Sequence, residues 1–116
     1  MSFVRSLGFA LTGVKNILKS ERNARIHLVV AVLVVSAALI LQLPATEVAA
    51  VLFAILVVFL AEIFNTAIEK TLDLVQPDHH EQVRLVKDMA AGAVLVAAAG
   101  AVAIGIIVFG PHLWGL

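Results

Sequence analysis

Residues 62 to 73 read Glu-Ile-Phe-Asn-Thr-Ala-Ile-Glu-Lys-Thr-Leu-Asp, and the chain's reactive side chains gather here. At 100° per residue, Glu62, Asn65, Thr66, Glu69 and Asp73 fall within about 60° of one line along a helix. Ile63, Phe64, Ala67, Ile68, Leu72 and Leu74 fill the opposite side. Glu62 directly follows Val48 to Ala61, a 14-residue run without one polar side chain. An acid beside such a run costs a few kcal/mol or more to place in a bilayer, and residues so placed mark functional sites. A helix end leaving the membrane accounts for Asp73 and partly for Glu69, but not for Glu62. Phosphoryl transfer needs such groups. Mg²⁺ is held by one or two carboxylates together with water and substrate phosphates. A lysine offsets phosphate charge, and a further carboxylate can take the proton of an attacking hydroxyl. Glu21 and the pair Lys87-Asp88 precede two other apolar runs, so they are expected in the same layer as Glu62, Asn65 and Glu69. The chain has no Gly-rich phosphate loop, and any nucleotide site must be built from helices.

The elements that position these groups follow from the apolar pattern. Of 116 residues, 62% are hydrophobic and 14% charged, and the mean hydropathy is +1.08. A soluble domain of this length could not bury so much apolar surface, whereas a bilayer absorbs it. The pattern predicts an all-α membrane protein of one domain, 1–116. It comprises a surface helix over 1–20 and membrane helices over about 28–43, 48–75 and 88–109. Pro77 ends the second span. Five of the eight basic residues (Arg5, Lys15, Lys19, Arg22 and Arg25) lie in the first 25 positions, opposed there by Glu21. Because they run straight into an apolar span, they point to anionic headgroups and not to nucleic acid. Phe3, Leu7, Leu11, Val14 and Leu18 recur at helical spacing, as in an amphipathic helix lying on a membrane or packed on its own bundle. The loop 42–47 and the tail after Phe109 carry no Lys or Arg, whereas the second loop region carries Lys70, Arg84 and Lys87. The positive-inside rule then puts the N-terminus in the cytoplasm and the C-terminus outside. Gly92, Ala97 to Gly100, Ala103 and Gly105 give the third span a small-residue packing surface. With no cysteine, disulfides and thiolate metal sites are excluded.

The segment Glu62 to Asp73 resembles the signature of the prokaryotic diacylglycerol kinase and undecaprenol kinase family. Lys87-Asp-Met-Ala-Ala-Gly-Ala-Val-Leu95 is similar to its second block, and Glu21-Arg-Asn-Ala-Arg-Ile-His27 to its first. The resemblance implies a lipid kinase of the bacterial cytoplasmic membrane that uses ATP and Mg²⁺ and forms a homotrimer. It implies Glu62 as general base with Asn65 shaping the reacting site, and Glu21 and Glu69 as metal ligands. It places Phe9, Glu21, Glu69, Asp78, His79, His80, Lys87 and Asp88 around the nucleotide, and Arg5 with Glu62 on the lipid substrate. Asn23 to His27 is more similar to the branch that prefers undecaprenol. Lys70 departs from the signature, which commonly has a small or apolar residue there.

The remaining motifs weigh less. His79 and His80 are adjacent and point to different sides, a poor chelate; His27 and His112 flank spans and are expected at interfaces. Arg22 and Arg25 are expected on headgroups, and Asp88 doubles as a charge or cap at the start of the third span. A proton-coupled transporter also uses a membrane acid such as Glu62, but the outer halves of all three spans lack the polar path it needs. A purely structural subunit has no need of the surrounding acids. Glu62→Gln separates the three. It is expected to abolish phosphoryl transfer in a kinase, to impair flux in a transporter, and to leave a structural subunit intact, as measured on purified protein in lipid.

Overall fold

The computed structural model describes residues 2–115 as four helices: α1 (Phe3–Ser20), α2 (Arg22–Ile40), α3 (Ala45–Val75) and α4 (Glu81–Trp114). Among the described residues there is no strand. Three of the helices, α2 to α4, are long and apolar enough to cross a membrane. α3 has 31 residues and α4 has 34, or about 46 and 51 Å at 1.5 Å per residue. Both exceed the ~30 Å hydrocarbon core, so each projects beyond it.

A seam of small and β-branched side chains joins α2 to α3. On α2 the buried residues are Ala24, Ala31 and Ala38, seven apart, and Ala24 is 0% exposed. On α3 the buried line is Val51, Ala54, Val58, Glu62 and Thr66, spaced three then four residues apart along one face. Alanine lets the two backbones approach closely, which is how helices associate where no hydrophobic effect drives them. Glu62 and Thr66 therefore continue the core line of α3; the packed face simply turns polar after Ala61.

α4 packs chiefly on α3 and runs antiparallel to it. Two side-chain contacts clasp the ends of this pair. Lys87 Nζ lies 2.6 Å from Asp73 Oδ1, and His112 Nε2 lies 3.2 Å from Glu47 Oε2. Both contacts share one register, which sets Glu62 at the level of Ala98. α4 begins seven residues before the expected start because its first turns are stitched by charge. Arg84 pairs with Glu81 and with Asp88, while His80 Nδ1 accepts from the backbone N–H of Gln82. Asp88 is thus inside the helix, not at its cap. α4 also continues past Phe109 through Pro111 to Trp114. Within one chain its small-residue face stays open: a methyl group on Gly92, Gly100 or Gly105 would meet nothing within 4 Å.

The two tight connections are built differently. α2 ends in a Schellman motif: Gln42 sits at φ 55°, its N–H donates to Leu39 O, and the Leu43 N–H donates to Ala38 O. Leu43 and Ala38 also meet in the apolar cluster with Val51 and Val108 that closes this end. At the other end a single residue, Glu21, separates α1 from α2. Arg25 fixes this elbow: its Nη1 donates to the carbonyls of Leu18 at 3.0 Å and Lys19 at 2.7 Å, which the end of α1 leaves without helical partners. Arg25 is therefore a helix cap for α1. α1 itself has no buried residue and meets the bundle lightly, with Phe3, Leu7, Phe9, Leu11 and Val14 exposed.

The seam predicts a clear mutational asymmetry. Ala24→Leu overpacks the α2–α3 contact and should cost about 1–3 kcal/mol, whereas Leu33→Ala, on an exposed face of α2, should leave the thermal unfolding midpoint in detergent nearly unchanged.

Candidate active site

The polar stripe of α3 forms a ladder over three helical turns. Glu62, at its start, is only 4% exposed. Its Oε1 lies 3.2 Å from His27 Nε2 on α2. One turn on, Thr66 is buried and Asn65 Nδ2 donates to Glu69 Oε1 at 3.1 Å. The Asn65 carbonyl oxygen is buried without a hydrogen-bond partner. A buried acceptor left so costs about 1–3 kcal/mol, and it is available to a ligand. A further turn on, Asp73 carries Lys87.

Of the residues singled out from the sequence, the fold joins Asn65 to Glu69 directly and keeps Glu62 on the same face. Lys87 meets Asp73, eleven positions along α3 from Glu62, or about 16 Å along the axis. The single layer expected of Glu62 and Lys87 is thus drawn out along the helix, because α4 lies antiparallel and its charged turns stand beside the end of α3. Asp88 is held by Arg84. Asp78 and His79 are exposed in the α3–α4 loop, and the His80 side chain is occupied as the α4 cap. Glu21 sits at the α1–α2 elbow and makes no capping hydrogen bond with its side chain. Arg5 and Phe9 are exposed on α1, and Arg5 forms no ion pair among the described residues.

Among the described residues no three acids or histidines cluster closely enough to hold a metal ion. The donors that are present still suit a hard cation. Glu21 and Glu69 are carboxylates and Asn65 offers a free amide oxygen, and Mg²⁺ needs only one or two carboxylates when water and phosphate complete its shell.

His27 is the residue that sequence reasoning passed over. It was expected at an interface, but α2 turns it inward, between Ala24 and Ala31 on the packed face. The signal was present in the seven-residue repeat of alanines, three before His27 and four after it. His27 also opens onto an apolar groove of about 510 Å³ between α2, α3 and α4. The groove passes Val58, Ala98 and Gly105 and reaches Trp114 at the far end of the bundle.

The fold and the site define a small helical membrane protein with a buried carboxylate in contact with His27, which lines an apolar groove between the helices. The model of the prokaryotic diacylglycerol kinase family matches residues 8–109. A diacylglycerol kinase of Synechocystis sp. is 40% identical over 112 residues, covering 96% of this chain and 64% of the relative. An undecaprenol kinase of Bacillus subtilis is 35% identical over 111 residues, covering 96% of this chain and 90% of the relative. The chain thus spans somewhat less than two thirds of the first relative and nearly all of the second. The chain belongs to the prokaryotic diacylglycerol kinase family, a family of lipid kinases, and is a multi-pass membrane protein.

The clasp between Lys87 and Asp73 is solvent-facing, with side chains 34% and 64% exposed. Asp73→Asn should therefore lower stability by less than about 1 kcal/mol, read as a thermal midpoint close to that of the unaltered protein.

Proposed function

We propose that this protein transfers the γ-phosphate of Mg-ATP to the hydroxyl of a membrane lipid alcohol. The observation that carries the reading is the position of Glu62, an almost fully buried carboxylate 3.2 Å from His27, which lines an apolar groove. A hydrocarbon chain lying in that groove brings its terminal hydroxyl to His27 and, beside it, to a carboxylate that can take a proton within the apolar environment. Glu62 is the general base in this reading, and taking the proton as the new bond forms is worth roughly 10²–10⁴ in rate. Asn65 lies one turn further on, its free carbonyl oxygen a hydrogen-bond acceptor beside the reacting atoms.

Glu21 and Glu69 would hold Mg²⁺, which when bound would supply positive charge against the phosphates. Lys87 releases Asp73 and turns to phosphate, an exchange that is easy because the resting pair is exposed. Asp88, Asp78, His79 and His80 border the nucleotide from the start of α4 and its loop, and Phe9 borders it from α1. Arg5, on α1, meets the lipid headgroup. The acceptor is undecaprenol or diacylglycerol; Asn23-Ala-Arg-Ile-His27 and the relative named undecaprenol kinase favour the first, and the relative named diacylglycerol kinase favours the second. The polar end faces the cytoplasm, the membrane is the bacterial cytoplasmic membrane, and the C-terminus lies outside, in keeping with the distribution of Lys and Arg. The open glycine face of α4 leaves room for close contact with further copies of the chain, three of them by the family resemblance.

Purified protein in lipid is expected to transfer label from γ-labelled Mg-ATP to undecaprenol or diacylglycerol, and the faster of the two is the preferred acceptor. Glu62→Gln should lower turnover by at least about 100-fold while the helical content is kept. Label on neither alcohol, from folded protein, would sink the reading; proton flux in sealed vesicles under the same conditions would replace it with a transporter.

A further inference from the structure

Glu62 has almost no access to water, and an acid so placed persists only with a partner. Among the described residues His27 meets it, Nε2 to Oε1 at 3.2 Å. The ring reaches across because Ala24 and Ala31, one turn to either side on the same face, hold the α2 backbone against α3. His27 is also 28% exposed, and it lines the groove beside Ile26 and Val30. The imidazole therefore touches both the carboxylate and the space through which a lipid would approach. The reaction outlined above leaves it without a task.

We propose that His27 is a positioning residue for Glu62. Its Nε2–H holds Oε1 and turns Oε2 toward the groove. This rests on the lipid kinase reading. In the transfer, the O–H bond of the alcohol breaks and its proton passes to Oε2 of Glu62. The alcohol oxygen bonds to the γ-phosphorus while the bond from that phosphorus to the bridging oxygen breaks, and the nucleoside diphosphate leaves with the electron pair. His27 makes and breaks no covalent bond. Its effect is on orientation: a carboxylate free to rotate would point either oxygen at the alcohol or at the helix wall. A separation of 3.2 Å is long for such a bond, and contacts of this kind tighten once substrate is in place.

The test compares His27→Leu, which keeps bulk, with His27→Gln, which keeps an N–H donor near the Nε2 position. Both are assayed in lipid with labelled Mg-ATP and the better acceptor. His27→Leu should lower kcat by roughly 10–100-fold with KM for lipid and nucleotide little changed, the pattern of an interaction made in the transition state. His27→Gln should recover most of that loss. In a Glu62→Gln background, His27→Leu should add no further loss. Equal loss in both single variants, or a rise in lipid KM with kcat kept, would overturn the proposal and leave His27 as groove wall. Should His27→Leu fail to fold, ¹⁵N resonances of the His27 ring in unaltered protein decide the point. Nε2 should carry its proton at neutral pH and shift when Glu62 is replaced by Leu, and an unprotonated Nε2 would overturn it. Full activity in Glu62→Gln with loss in His27→Leu would sink the base assignment and with it the positioning role, while leaving the kinase reading in place. No product from unaltered protein would sink the kinase reading first.

Discussion

A carboxylate buried in the seam between two apolar helices is the constraint around which the rest of the structure is arranged. Glu62 occupies a core position of α3, in line with Val51, Ala54 and Val58. Membrane helices gain little from hydrophobic burial against each other, so contact geometry and polar pairing set their register. The alanines of α2 allow the close approach, and the same approach carries His27 to the acid. Packing and polar pairing are two consequences of one spacing: the residues that bring the backbones together flank the residue that meets Glu62.

Around that seam the charged groups act as fasteners of modest strength. The Asp73–Lys87 and Glu47–His112 pairs hold α3 and α4 in one register at points about 39 Å apart along α3. Each is partly exposed, so each stabilises little by itself. Their value lies in fixing which face of α4 looks at α3. Arg25 does the same for α1 by capping its last carbonyls, so that α1 leaves the bundle at a defined elbow with Glu21 at its corner. The groove is what remains when α4 is held by its ends and its middle is made of Ala and Gly. Small side chains opposite Val58 leave space that larger ones would fill.

The polar stripe grades from buried to exposed along α3. Glu62 and Thr66 are shielded, Asn65 and Glu69 pair with each other, and Asp73 stands in solvent with Lys87. This gradient suits a reaction between a lipid and a water-soluble donor, which must meet from opposite directions. Family membership and the gradient point to the same chemistry from independent grounds, one from whole-chain similarity and one from burial.

Much of this was written in the sequence. Three apolar spans, an N-terminal amphipathic helix and the acidic stripe that begins at Glu62 follow from composition and a 3.6-residue period, because both act locally along the chain, and the family was legible from the resemblance of three sequence blocks. Helix ends were less legible. α4 starts early and ends late because the Glu81–Arg84–Asp88 pairs and the groove-lining Trp114 extend a helix that hydropathy alone would stop. The sequence also could not tell that the acidic stripe and the core of α3 share a face, since a helical wheel shows which residues align but not what they face. Only tertiary structure decided that Lys87 stands by Asp73 and not at the level of Glu62, that Arg25 caps α1, and that His27 turns inward to the buried acid. Each depends on the crossing of two helices distant in the chain, and that crossing is set by side-chain shape at the seam, which no local period records.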